Sequence, residues 1–162
     1  RKESLMSNRL HAVYAVETPE LLFSFIESTS VDDRDLIPQN EVWSLNMLLR
    51  HVVDAEMQSY VRLMGMVAEE GPLMQNHDEE KWTSMRRTMS VEEARVAVAF
   101  VRKQVCNLMK TYSDQELRES YAVHSVRGKE YFVDLLRIYE DHIHTHLAQA
   151  RRIYAACIEC GD

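Results

Sequence analysis

Tyr139-Glu-Asp-His142-Ile-His144-Thr-His146-Leu-Ala-Gln149 is the stretch that decides the fold. It lies inside a run in which Phe132, Leu135, Leu136, Tyr139, Ile143, Leu147, Ala150, Ile153 and Tyr154 recur at three- and four-residue steps. That spacing puts them on one face of an amphipathic helix. His142 and His146 fall on or beside the apolar stripe one turn apart, so their imidazoles point the same way. His144 sits about 200° round the axis from His142 and is expected to face water. Two imidazoles one turn apart and aimed into a helical bundle form a ready pair of metal ligands.

A strand would read the same letters differently. Alternate residues of a strand share a face, so three histidines could line a hydrolase metal site. The flanks exclude this. Glu140, Asp141, Ala148, Gln149, Arg151 and Arg152 suit a helix, and no turn residue breaks the run on either side.

Working outward, the spacing predicts a last helix over about 131–158. Upstream, Tyr121 to Lys129 reads as a loop around Gly128, preceded by a short helical turn that Ser113-Asp-Gln-Glu116 opens. Ser90-Val-Glu-Glu93 is a capping box that starts a helix running to about Tyr112. The segment from Leu73 to Met89 reads as loop. Before it, Leu45, Leu48, Leu49, Val52, Ala55, Leu63 and Met66 mark a long helix from about Trp43-Ser44 to Glu70, stopped by Gly71-Pro72, with His51 at the edge of its stripe. Residues 28–40 form a polar connection. Thr18-Pro19-Glu20 reads as an N-cap followed by Pro at the first helical position, with Leu21, Leu22, Phe25 and Ile26 as the apolar face. Residues 5–16 mix apolar and polar side chains at helical spacing, and Pro19 either starts a new helix or kinks one long one. Four major helices with two longer crossings indicate an all-α, four-helix-bundle protein, expected as a single domain over 1–162.

Composition agrees. Four Gly and three Pro in 162 residues leave few helix breakers. A net charge of −7 disfavours general nucleic-acid binding, which needs a basic face to displace counterions. No apolar run approaches the roughly 20 residues that span a bilayer, and no signal peptide opens the chain, so a cytoplasmic protein without a membrane partner is expected. Three cysteines, Cys106, Cys157 and Cys160, make no disulfide framework and suit a reducing compartment. Cys157-Ile-Glu-Cys160 has redox or half-zinc-site spacing, but no second pair accompanies it at the chain end.

Several separated pieces together resemble the DinB-like family. Trp43-Ser-Leu-Asn-Met-Leu-Leu-Arg-His51-Val-Val-Asp54-Ala-Glu56 is similar to its helix-two signature. Tyr60-Val-Arg62, the Pro72 loop and Asp78 to Trp82 follow in the order of its bacillithiol-transferase-like branch, and Gly128-Lys129, Leu135-Leu-Arg-Ile-Tyr139, His142 and His146-Leu-Ala-Gln149 match the helix-four signature. The resemblance implies a bundle that is often a homodimer, with one divalent metal, nickel or zinc, held by His51, His142 and His146. It also implies transfer of a low-molecular-weight thiol, such as bacillithiol or mycothiol, to a small electrophilic substrate, as in a stress response, or use of a thiol in an isomerisation. Where that branch reads more like Trp-His-Gly-x-His-His, this chain has Glu140-Asp-His-Ile-His-Thr-His146. The ligand positions survive the departure; the thiol and the substrate are left open.

Three neutral imidazoles on one face of a metal leave positions for water or substrate, the arrangement of a catalytic rather than a structural site. A thiol bound there would lose its proton near neutral pH; bound water would make the same site hydrolytic. A non-catalytic metal- or ligand-binding bundle is the alternative, because no nucleophile or general base of the chain's own is evident. Asp54, Glu56, Asp141 and Gln149 are candidates to orient the imidazoles through their second nitrogens, against the competing reading of solvated surface residues. Glu56 lies near the apolar stripe and would need a partner if buried. His124 is a candidate for the pocket mouth, or a plain loop residue. His11 and His77 read as surface histidines, and Trp43, Tyr60 and Trp82 as core, with Trp82 able to cap a pocket.

Overall fold

The computed structural model describes residues 14–159 apart from positions 16 and 86. The N-terminal stretch with His11, and Cys160 of the Cys-x-x-Cys pair, lie outside the described residues. Helix α1 spans Thr18–Glu27, α2 Leu45–Ala68, α3 Glu79–Ser84, α4 Val91–Thr111, α5 Asp114–Glu119 and α6 Phe132–Glu159. A 3-10 turn, Asp32–Asp35, precedes α2. The long helices form the four-helix bundle: α2 packs on α4 and α6, and α1 lies across α4 and α6.

Local chemistry accounts for where the helices start. Ser44 Oγ accepts from Met47 N at 3.2 Å and caps α2. Ser90 and Glu93 exchange the two bonds of a capping box at the head of α4, and Ser113 with Glu116 does so at α5. Thr18 does not cap α1. The helix begins at Thr18 itself with Pro19 in its first turn, and Thr18 Oγ1 donates to Glu140 on α6. Tertiary contact has taken the hydroxyl that a cap would have used.

The two segments expected to be loops are partly ordered. Leu73–Met74 forms strand β1, Tyr121–His124 β2 and Gly128–Tyr131 β3, in sheet order β1-β2-β3. β1 runs parallel to β2 with Leu73 opposite Val123, and β2 is antiparallel to β3 with Ala122 opposite Glu130. Strands of two to four residues carry no readable periodicity; pairing across distant segments creates them. Gly128 at φ 82° completes the hairpin turn. Likewise Glu79–Ser84 is helical because Asp78 caps it, its side chain accepting from Lys81 N at 3.1 Å.

Two apolar clusters fill the bundle. One contains Leu22, Ile26, Leu48, Val52, Val98, Ile143 and Ala150; the other contains Leu63, Met66, Val105, Leu117, Phe132, Leu136 and Tyr139. Between them, at matching levels of three helices, lie the buried Glu56 of α2, the buried Arg102 of α4, and Glu140 and His142 of α6. The functional groups occupy this polar band.

Candidate metal centre

His51 from α2 and His142 and His146 from α6 meet at the level of the band. His51 Nε2 lies 3.0 Å from His142 Nε2, and His146 Nε2 lies 2.9 Å from His142 Nε2. One nitrogen from each ring lies within 4.8 Å of the other two. His51 and His146 are buried and His142 is partly buried. Trp43, one residue before the cap of α2, packs its indole against His51 and His146 with ring centroids 4.7 and 6.0 Å away. His144 faces outward, as its helical phase requires, with Glu140 four residues away as its neighbour.

The electrostatics leave the rings neutral. Burial, reinforced by the neighbouring His146, pushes the His51 pKa down to about 4. Burial and the other two histidines push His142 to about 3, and burial also lowers His146. Neutral imidazole is the form that binds metal. Gln149 Oε1 lies 2.8 Å from His146 Nδ1 and accepts its proton, which leaves Nε2 as the lone-pair nitrogen facing the other rings. His142 Nε2 faces two nitrogens at once, while its Nδ1 is buried without a hydrogen-bond partner among the described residues. Protein hydrogen bonds alone do not satisfy these rings. A cation at the convergence of the three Nε2 atoms would take up their facing lone pairs, so the donor set fits a divalent metal of the borderline class that imidazole prefers.

The remaining candidates separate. Of the four residues considered as partners for the rings, Gln149 makes a direct bond to an imidazole. Asp54 accepts from both Arg87 amino groups; it acts on His51 only through its charge, which opposes the lowering of that pKa. Glu56 is fully buried, and its partners are Arg102 and Tyr14: Arg102 Nη2 donates to Oε1 at 2.7 Å and Tyr14 Oη to Oε2 at 3.0 Å. Arg102 continues to Glu140 and to the carbonyl of Ala15, so this group ties three helices together rather than touching a ring. Asp141 is exposed and makes no side-chain contact with the cluster. His124 is buried in the hairpin turn, where its Nδ1 accepts from the amides of Val126 and Arg127. It holds a turn and does not line the cavity beside the cluster.

That cavity, about 100 Å³, reaches His142 and is lined by Gln58, Arg62, His77, Glu79, Arg127 and Tyr139 among others. His77 is half-buried, its ring 4.8 Å from the Trp82 indole, and is not the plain surface residue expected. The β1–α3 crossing brings His77 and Glu79 here. Their sequence neighbourhood, polar and without period, gave no sign of it. Cys106 is half-buried with its thiol pKa raised by burial, and Cys157 packs on the core from the last turns of α6. Neither lines the cavity.

Comparison with known proteins follows the same outline. The chain is 23% identical over 133 residues to the Oceanobacillus iheyensis protein named "Putative metal-dependent hydrolase OB0782", covering 82% of this chain and 77% of that one. It is 22% identical over 134 residues to YfiT of Bacillus subtilis, which carries the same kind of name, covering 82% and 75% of the two chains. The solved structure of YfiT, described as an unusual four-helix bundle, superposes with a TM-score of 0.81 over 91% of this chain and 85% of that one, at 21% identity. None of the helices described is long and apolar enough to cross a membrane. The family model of the DinB superfamily matches residues 14–150, a span that includes α2, most of α6 and all three converging histidines, and the chain therefore belongs to that superfamily.

Proposed function

We propose that the protein is a metal-dependent enzyme in which His51, His142 and His146 hold one divalent ion, nickel or zinc, through their Nε2 atoms, and which transfers a low-molecular-weight thiol to a small electrophile. One observation carries the metal reading: three imidazole nitrogens, two from buried rings and one from a partly buried ring, converge beside a cavity, with one Nδ1 already committed to Gln149. A divalent ion held there would lower the pKa of a bound thiol or water and so supply a nucleophile at neutral pH.

The chain's own residues do the rest. Gln149 fixes the tautomer and the orientation of His146. Trp43 walls His51 and His146 from solvent on one side, so the approach left open is the cavity at His142. Arg62 lines that cavity and supplies positive charge where a thiolate would build up, while Arg127 beside it is paired with Glu130. The cavity lining contains neither Cys nor Ser, which supports a nucleophile brought by solvent or a co-substrate.

Hydrolysis, with water in place of the thiol, is the second reading, and the names of the relatives favour it. Glu79, an exposed carboxylate on the cavity wall, is the proton acceptor it would use. The deciding assay gives metal-loaded protein a panel of small thiols with an electrophilic chromogen, beside ester and amide substrates without thiol. Thiol-dependent turnover that disappears in His146→Ala supports transfer. Turnover without thiol that disappears in the same variant supports hydrolysis. No turnover in either arm defeats both.

A further inference from the structure

A second, larger cavity of about 620 Å³ runs along α2, walled by Met57, Val61, Gly65 and Arg62 on the helix and by Leu73 and Trp82 across from it. Gln58 and Arg62 line both this groove and the small cavity at His142, so the two spaces meet at these residues. We propose that the groove binds an elongated apolar molecule bearing a carboxylate, with Arg62 receiving the carboxylate and the apolar body lying along α2.

The charge argument rests on Arg62, the arginine that lines the groove. Arg87, Arg95, Arg102, Arg127, Arg137 and Arg152 each sit on a carboxylate of the protein. Arg62 is half-buried, and the acceptors it reaches are neutral: Tyr139 Oη at 3.0 Å and the Gln75 carbonyl at 3.1 Å. These two bonds hold the guanidinium in place without cancelling its charge, which suits it to receive an anion. The acidic residues of the groove do not compete for that role. Asp54 is closed by Arg87, and exposed Glu69 lies just past the end of α2, seven residues on from Arg62.

The apolar argument is independent. Met57, Val61, Leu73 and Trp82 are all exposed along the walls, and a cluster of large apolar side chains rimmed by charge marks a binding surface. Gly65 keeps the floor open: a Cβ there would meet Pro72 Cγ at 3.6 Å, an ordinary contact, so the position tolerates a Cβ and Gly65→Leu would add its bulk at the groove wall.

The role of this groove as a substrate site rests on the metal-enzyme reading above, whereas its binding does not. The test is calorimetric titration of the full chain, metal-free and zinc-loaded, with decanoate, decan-1-ol and decyltrimethylammonium below their micellar concentrations. One decanoate is expected to bind per chain, at least tenfold more tightly than decanol, and the cation is expected to bind least. Arg62→Leu should bring decanoate down to the affinity of decanol, Arg62→Lys should keep most of the difference, and Gly65→Leu should abolish binding of both while circular dichroism stays that of a folded helical protein. Decanoate should still bind a His142→Ala/His146→Ala protein, so failure of the metal reading would be seen separately. Absence of saturable decanoate binding, equal binding of decanoate and decanol, or an Arg62→Leu variant with unchanged decanoate affinity would each overturn the proposal.

Discussion

His51 and His142 stand ninety-one residues apart in the chain, and their Nε2 atoms are 3.0 Å apart in the fold. A divalent cation at the point these two rings share with His146 would hold all three together. Metal analysis by mass spectrometry of protein purified without an affinity tag should find close to one nickel or zinc ion per chain. His142→Ala/His146→Ala should reduce it to about a tenth or less, since one imidazole alone is a weak ligand set. A wild type that neither carries nor takes up a divalent ion would remove the metal from the mechanism.

Gln149 tests whether the orientation of His146 matters for binding. Replacing it by Leu removes the acceptor for Nδ1–H while leaving the helix a good helix former in its place. Metal affinity should fall about 10- to 100-fold, as is usual when a ligand loses the partner that fixes its tautomer. Competition with a chromophoric chelator measures it, and an unchanged affinity would leave Gln149 a bystander.

Acid should weaken the metal-free fold. The folded-state pKa values of His51 and His142, about 4 and about 3, lie below the ordinary histidine value of 6.5. The unfolded chain therefore binds more protons across that interval, and stability rises with pH through it. Lowering the pH from about 6.5 toward 4 should lower the urea midpoint progressively, with little further effect above about 7. The His51→Ala/His142→Ala variant should lose most of this dependence. A wild-type midpoint that is flat between these limits would mean the rings are not buried and neutral.

Arg102 and Glu56 make a fully buried pair that joins α4 to α2. Burial alone would lower the Arg102 pKa; the Glu56 carboxylate more than offsets this and raises it. Arg102→Met strands the carboxylate and should cost about 3–5 kcal/mol of unfolding free energy. Glu56→Leu in the same chain should restore much of that loss, because two apolar side chains replace two desolvated charges. Chemical denaturation of the two variants decides it; a double variant less stable than Arg102→Met would show that the pair contributes beyond its own desolvation.

Gly71, three residues beyond the end of α2, sits at φ +59° with the Tyr121 ring 2.7 Å from where a Cβ would be. Gly71→Ala should destabilise the fold by about 2 kcal/mol, from left-handed strain together with displacement of Tyr121. Amide exchange should rise first in β2, which begins at Tyr121. Equal exchange in the variant would mean the turn relaxes without moving the sheet.

How much could be read beforehand follows from where each signal resides. The long helices are legible because their apolar residues repeat with the helical period, and because Ser44 and Ser90 cap two of them through local bonds. The convergence of His142 and His146 follows from helical phase, and the place of His51 beside them came from resemblance to a family. Beyond that, the chain alone was silent. Thr18 was read as a cap and instead binds Glu140, 122 residues away, because a hydroxyl goes to whichever acceptor the tertiary fold presents. Asp54, Glu56 and Gln149 looked alike as polar neighbours of histidines. Only packing set them apart, giving Asp54 to Arg87, Glu56 to Arg102 and Gln149 to an imidazole. The three short strands, the cavity at His142 and the groove along α2 arise where segments distant in sequence are brought side by side. Periodicity is a property of one segment; a cavity is a relation between several, and only the tertiary structure decides it.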